Sequence, residues 1–448
     1  MNTLNIMDNI KDYIVKVYNI QEKTINNIKI DSRNINENDL FIAIKGKNID
    51  GHNYVLDAIN RGASLIIVSE DISIKANTMI IKVNDTIEIL GVLANSMINK
   101  IKVPVIAVTG SNGKTTTKEL IANLLATKYK VLKNKGNLNN HIGLPLTILE
   151  YQDEDIIVLE MGMNHKGEIE KLTKICHPNI GVITNIGTAH IGNLGSKKNI
   201  YKAKLEILKG MKNGFLVINN NDKYLRKAKT NNNQILRCGT NKNDNIKLLS
   251  INYSLTKTDF KIDYLNKIYD FTINVPGKYI VNDVLLAIQV GVLLNIDIND
   301  MKSIINDYKT SNNRINVIEN NNYKIINDCY NSSYESLDNI LSILQNIDDE
   351  KILIIGDILE LGKYNKKILK RVTKQINKVR NCQVLLMGTN MKKLSKKIQN
   401  SIYCKNFDEM YLNINKINLN NKIILIKASH AMNFEQIYNY IINIDKDK

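Results

Sequence analysis

VPVIAVTGSNGKTTTKELIANLLATKY (103–129) decides the fold. VPVIAVTG is an apolar run of strand length ending in glycine, and TTKELIANLLATKY carries the three-to-four spacing of an amphipathic helix. The join between them, TGSNGKTTTKE (109–119), is rich in glycine and hydroxyls. Gly110 and Gly113 allow a tight turn whose N–H groups, with those of Ser111 and Asn112, can face phosphate oxygens. A helix opening near Lys114 adds its positive end. Lys114 can reach β- and γ-phosphates, and Thr115, followed by Thr116, offers a hydroxyl for Mg²⁺. The general phosphate-loop pattern wants glycine at 108, where Val108 stands, so the formal spacing is not met. The strand-to-helix setting still favours nucleotide binding over a bare structural turn.

Further apolar strands follow at IIVLEMG (156–162), IGVITNIG (180–187) and FLVINN (215–220), separated by helical stretches. They make residues 101–310 a P-loop ATPase-like α/β unit with a largely parallel sheet. Alternating segments at 245–275 add small antiparallel strands before the helix VNDVLLAIQVGVLL. Glu160 ends a strand, where open α/β sheets place ligand groups, although a carboxylate there can simply be solvated. His190 follows another strand end, and its neutral imidazole can ligate a metal with Glu160 as co-ligand; a lone histidine is more often structural. GNLNNHIGLP (136–145) sets the amides of Asn139 and Asn140 among glycines, a pattern suited to orienting a polar ligand but also expected from the Asn-rich composition. Lys204 by itself reads as solvated helix surface.

Outward from this centre, residues 1–100 read as a small mixed domain: the strand LFIAIKG (40–46), a polar turn, the helix VLDAINRGA, the strand SLIIVS (64–69) and the helix 84–100. Residues 311–448 read as a second, Rossmann-like α/β domain, with strands at YKIIND (323–328), KILIIGD (351–357), CQVLLMG (382–388) and KIILIKAS (422–429). Arg314 opens this segment, and its planar fork suits phosphate. The 448 residues, 44% hydrophobic and 23% charged, are enough for about three packed cores and exclude global disorder. No run approaches the ~20 apolar residues of a membrane span, and the N-terminus lacks a signal-peptide pattern, so a cytoplasmic protein with no membrane insertion is expected. Five scattered cysteines suggest neither a disulfide framework nor a zinc site. The net charge of +17 comes from dispersed lysines without a clustered basic face, which argues against a nucleic-acid partner.

Taken together, the motifs resemble the Mur ligases over essentially the whole chain, in three-domain order. DSR (31–33), LFIAIKG and DGH (50–52) resemble the family's N-terminal uridine-nucleotide site, which implies that Ser32, Arg33, Lys45, Gly46, Asp50 and His52 bind substrate. TGSNGKTTTKE resembles the family's ATP loop, whose spacing differs from the usual one and accounts for Val108. LEMGMNHKGEI (159–169), ITNIGTAHIGNLGS (183–196) and the pattern at Ala203, Lys204 and Glu206 follow in family order. The resemblance implies Lys114, Glu160, His190 and Lys204 as catalytic residues. Thr115, Glu160, His190 and Lys204 would hold two Mg²⁺ ions, with Lys204 carbamylated. Asn282, Arg314 and Asp328 would contact the nucleotide. It further implies ATP-dependent amide ligation by a monomer.

NLNNHIGLP, MNHKGEI, NDCYNSSYES (327–336) and GDILELG (356–362) resemble the branch that joins D-alanyl-D-alanine to UDP-N-acetylmuramoyl-tripeptide, implicating Asn139, Asn140, Asn164, His165 and Asn331 in substrate binding. Two positions depart from the family pattern: Tyr279 and Ile280 stand where His–Asn is typical, and His430 where Arg is common. The competing readings are a ligase for another amino compound, a nucleotide-binding regulatory ATPase and, more weakly, a nucleic-acid binder.

Overall fold

A computed structural model describes residues 1–72, 77–310, 315–319 and 322–446. Three sheets carry the described residues. The first orders its five strands Ile14–Tyr18, Met79–Val83, Leu65–Val68, Leu40–Ile42 and Ile28–Lys29, with only the first pair antiparallel. The helix Thr86–Ile101 covers one of its faces, capped by Asp85, whose side chain accepts from Ile87 and Glu88 N–H. Its chain end leads directly into the central strand Val105–Thr109.

The second sheet has nine strands. Val105–Thr109 lies between Ile156–Glu160 and Ile180–Ile183, parallel to both and buried throughout. These strands are nearly unbroken runs of Ile, Val and Leu because both faces of the sheet are covered. Helices Lys114–Leu125 and Lys278–Leu293 pack on one face. On the other, an apolar cluster runs without a break from Leu159, Ile183 and Ile191 into Tyr334, Leu337 and Leu361 of the last segment. Val108 pairs with Glu160 and Thr109 with Ile183, so the three strands end together, and their loops emerge side by side at the carboxyl edge. Ile246–Tyr253, Thr258–Tyr264 and Lys267–Ile273 extend the sheet as the antiparallel hairpins expected from their alternation.

The third sheet orders six strands as Asn316–Glu319, Tyr323–Asp328, Lys422–Lys427, Lys351–Gly356, Cys382–Met387 and Ser401–Cys404. All are parallel except the first, which is an antiparallel edge. Short elements such as Met79–Val83, Gln234–Gly239 and Ser401–Cys404 carry little periodic signal and are defined by their partners. Among the described residues no helix is long and apolar enough to cross a membrane. The cysteines are all free, and burial pushes the Cys329 thiol up to about 12.

Asp328 and Lys427 are paired neighbours at the carboxyl ends of adjacent strands, both buried, with Lys427 Nζ 2.5 Å from Asp328 Oδ2. Lys427→Ala strands a buried carboxylate and is expected to cost the C-terminal domain about 3–5 kcal/mol. Combining Asp328→Asn with Lys427→Met recovers most of it. Hydrogen exchange of the strand Lys422–Lys427 in urea checks both; equal protection in Lys427→Ala and wild type contradicts the assignment.

Candidate active site

The phosphate loop is shaped by what lies behind it. A Cβ at Gly110 would collide with Thr184 Oγ1, and Gly113, at φ +80°, has the Asp283 carboxylate where a Cβ would go. Glycine is therefore required at both positions. Asn185 holds the turn from below: its backbone oxygen accepts Ser111 N–H at 3.0 Å and its Oδ1 accepts Asn112 N–H at 3.1 Å. Thr184 Oγ1 and Asn185 Nδ2 both donate to the Asn112 carbonyl, at 2.5 and 2.9 Å. The Ser111 and Asn112 amides thus serve the loop's own shape. The first intrahelical bond runs from Thr117 N–H to Gly113 C=O, which puts Lys114, Thr115 and Thr116 in the anion-facing first turn. Lys114 Nζ folds back to the Gly110 carbonyl at 3.1 Å.

Glu160 is the fixed anion of the site. It is 3% exposed, accepts Thr115 Oγ1–H at 2.6 Å and Asn139 Nδ2–H at 2.8 Å, and forms no ion pair with a described residue. Asn134 clamps its backbone, accepting Glu160 N–H at 2.9 Å and donating to its carbonyl at 3.0 Å. The buried Lys118 ammonium donates at 2.6 Å to the Asn134 carbonyl. A buried carboxylate with only neutral donors, beside a threonine hydroxyl, is an all-oxygen donor set that fits Mg²⁺.

Lys204 ends the helix Lys197–Lys204 and is 2% exposed. Its Nζ makes no hydrogen bond or ion pair among the described residues. Burial, and secondarily the charge of Lys114, hold its amine well below the usual lysine range. A site that disfavours the ammonium is suited to a neutral, nucleophilic amine.

The C-terminal domain closes the rim. Ser333 Oγ donates to Asn112 Oδ1 at 2.9 Å. Glu335 accepts from Thr188 N–H and Oγ1–H at 2.9 and 2.6 Å and from Lys197 Nζ at 2.9 Å. His190 Nδ1 lies 2.6 Å from Glu360 Oε2, and the imidazole beside it holds the Glu360 carboxyl below the usual range.

The other expected site residues have defined places. Arg33 is exposed and paired with Asp31, while Ser32 is buried beside Asp57. Gly46 N–H donates to the Ile49 carbonyl, closing the turn that carries Lys45 to Asp50. Asp50, His52 and Glu70 cluster, but Lys45 occupies the cation's place, 2.7 Å from Glu70 and 3.6 Å from Asp50. His52 accepts Ser69 N–H on Nε2 and meets Asp50 through Nδ1, so both ring nitrogens are engaged. Asn140 Oδ1 accepts from Ile142 and Gly143 N–H at the start of a helix. Asn164 and His165 contact Glu168 on the surface. The Asn331 carbonyl accepts from Lys427. Asn282 accepts from Asn221, and its neighbour Asp283 is the residue turned to the loop. Tyr279 is partly exposed, and His430 lies against Tyr330 with ring centroids 5.7 Å apart. Arg314 lies outside the described residues. Asn134 carries no local motif, and Glu335 and Glu360 lie within NDCYNSSYES and GDILELG without being singled out there; only the fold brings them, and Asp283, to the site.

Three family models match successive stretches: a Mur ligase family catalytic domain over 24–98, a Mur ligase middle domain over 108–291 and a Mur ligase glutamate ligase domain over 313–430. The UDP-N-acetylmuramoyl-tripeptide–D-alanyl-D-alanine ligase of Bacillus subtilis is 36% identical, aligned over 76% of this chain and 75% of its own. The enzyme of the same name from Buchnera aphidicola (subsp. Baizongia pistaciae) is 33% identical over 94% of this chain and 93% of its own. The crystal structure of MurF from Acinetobacter baumannii superposes with a TM-score of 0.91 at 25% identity, covering 98% of both chains.

Burial raises the Asp283 carboxyl well above the usual carboxylate range. The fold disfavours the ionised form of Asp283 relative to the unfolded chain, so this residue's stabilisation is full below the ordinary aspartate pKa of about 4 and fades as pH rises through the raised folded value. Asp283→Asn, a neutral isostere, should therefore raise the thermal midpoint relative to wild type by more at pH 8 than at pH 5. A difference independent of pH contradicts this.

Proposed function

The chain belongs to the Mur ligase family, and from this premise we propose that it joins D-alanyl-D-alanine to UDP-N-acetylmuramoyl-tripeptide at the expense of ATP, giving the UDP-linked pentapeptide, ADP and phosphate for peptidoglycan precursor synthesis. The observation that carries the chemistry is the buried Thr115–Glu160 pair at the mouth of the phosphate loop, with Lys114 on the same first turn and a buried Lys204 near enough to Lys114 to feel its charge.

A carboxylate is a poor acyl donor, and phosphorylation supplies the leaving group. The tripeptide's terminal carboxylate oxygen attacks the γ-phosphorus, and the bond to the ADP oxygen breaks with its electron pair going to ADP. The amine of D-alanyl-D-alanine then adds to the acyl-phosphate carbonyl. The tetrahedral intermediate expels inorganic phosphate, which keeps the former carboxylate oxygen, and the amine's proton is lost. Lys114 offsets charge on the phosphoryl oxygens, and the first turn of its helix orients them. Glu160, held in one rotamer by Thr115 and Asn139, is preorganised rather than recruited. Thr115, Glu160 and His190 would hold Mg²⁺, which when bound neutralises the phosphates. The N-terminal domain, with Lys45, Asp50 and His52, takes the uridine nucleotide, and domain closure excludes water from the acyl phosphate.

Lys204 supplies a further anion as a carbamate. Its neutral amine attacks CO₂, forming an N–C bond and releasing one proton, which converts a buried amine into a carboxylate-like ligand. The low affinity of this site for an ammonium supports that reading. The reaction belongs to the cytoplasm, and the working unit is a monomer.

The direct test follows ADP and phosphate release with each peptide substrate omitted in turn, with mass spectrometry of the product. Pentapeptide that requires ATP and both peptide substrates is the expected result; ligation of a single amino acid but not of D-alanyl-D-alanine overturns the substrate assignment. Lys114→Ala should lower kcat by at least ~10²-fold in a folded protein, as expected for losing a preorganised charge at the reacting group. Lys204→Ala should lose activity that small carboxylic acids partly restore; unchanged activity removes the carbamate from the mechanism.

A further inference from the structure

Behind the phosphate loop runs a strap of chain, 184–188, whose two ends are anchored in different domains. Thr184 and Asn185 face the loop itself and hold the N–H and carbonyl of Asn112. At the other end Thr188 is buried, and its N–H and hydroxyl both donate to Glu335 Oε2, at 2.9 and 2.6 Å. Lys197 is the first residue of the helix that ends in Lys204. It donates to Glu335 Oε1 at 2.9 Å and reaches back to the Ile186 carbonyl at 3.4 Å. Three largely buried donors of the central domain thus share one acceptor, which stands on the first turn of the C-terminal helix Tyr334–Leu344. The same turn touches the phosphate loop directly. Ser333, its N-cap, accepts Ser336 N–H at 3.2 Å and donates to Asn112 Oδ1 at 2.9 Å. Gly187 lets the contacts converge, since a Cβ there would fall 3.1 Å from both Asn112 Nδ2 and Glu335 Oε2.

We propose that Glu335 is a positioning residue for phosphoryl transfer: seated by the C-terminal domain, its carboxylate braces the strap behind the phosphate loop and the start of the Lys204 helix. Buried donors left without an acceptor are costly, and here the acceptor they need comes from the other domain. With that domain away, water takes the carboxylate's place and the strap loses its fixed anchor. Glu335 acts through Thr188, Lys197 and the strap, and so couples domain closure to the geometry of the loop. The inference rests on the reading of the chain as a ligase that works with its domains closed.

The test uses the full-length protein. Hydrogen exchange, read residue by residue, follows the amides of Thr188, Ser111 and Asn112, the last two of which donate to Asn185 on the same strap. Glu335→Ala should speed exchange at all three, because releasing one end of the strap loosens what the other end holds. A merely structural contact would expose Thr188 alone. In ligation, Glu335→Ala should lower kcat about 10–100-fold, the scale of a small misplacement of reacting groups, with KM for ATP nearly unchanged. Combining Glu335→Gln with Lys197→Met keeps an acceptor for Thr188 and strands no ammonium, and should restore slow exchange and most of the rate. Glu335→Met retains the stem without the acceptor and replaces the alanine variant should that one fail to fold. Wild-type exchange at Ser111 and Asn112 in Glu335→Ala, a wild-type kcat in that variant, or a double variant no faster than it overturns the proposal. Exchange that follows Glu335 as expected in a protein that makes no pentapeptide overturns the ligase reading instead, and leaves the brace standing.

Discussion

The hydrogen bond from Thr115 to Glu160 joins the two parts of the sheet on which the site depends. One partner stands on the first turn of the helix after the phosphate loop, the other at the end of the neighbouring strand, and both are buried. An ionised carboxylate without a cation is costly in such a place, so the surroundings must either neutralise it or reserve it for a cation. Here the contacts are all neutral, from Thr115 and Asn139, with Asn134 holding the backbone. A cation bound there would offset the buried charge, as a phosphoryl-transfer site requires.

Lys204 presents the opposite imbalance. Its amine is buried near Lys114 and shifted away from the charged form. A buried carboxylate bonded to Thr115 and an amine that disfavours its charged form thus both neighbour the first turn after the phosphate loop. The C-terminal domain completes the arrangement by reaching over that loop. Ser333 touches Asn112 of the loop, Glu335 ties down Thr188 and Lys197, and Glu360 meets His190. Gly187 sits where these meet, its Cβ position 3.1 Å from Asn112, Glu335 and Ser111 alike. The domain interface and the active site are therefore one structure, continuous with the apolar cluster beneath.

The fold was legible where strands are buried on both faces. Val105–Thr109, Ile156–Glu160 and Lys351–Gly356 are apolar but for one polar end residue each, and the glycines of the phosphate loop mark the turn. Short partners such as Ile14–Tyr18 were not, because a half-exposed strand of five residues owes its existence to the strand beside it. In the site, Lys114, Thr115 and Glu160 stand out from strand-end position and residue chemistry, whereas Lys204 drew meaning only from the family pattern: burial, its deciding property, is not visible in a helix of lysines. Asp283 escaped notice beside Asn282 because helix rotation, set by packing of Lys278–Leu293 on Lys114–Leu125, determines which of the two faces the loop. Glu360 lies in a stretch with family character, but its contact spans 170 residues of chain and needs the assembled domains.

All of this geometry serves one claim, that a substrate carboxylate and not water receives the γ-phosphoryl group. Labelling the terminal carboxylate of UDP-N-acetylmuramoyl-tripeptide with ¹⁸O and following the label during ligation tests it directly. Transfer of one ¹⁸O atom into the released phosphate, in step with pentapeptide formation, is the predicted result. Unlabelled phosphate accompanying the same pentapeptide would contradict the account, since the oxygen lost from the carboxylate would then have left by another route.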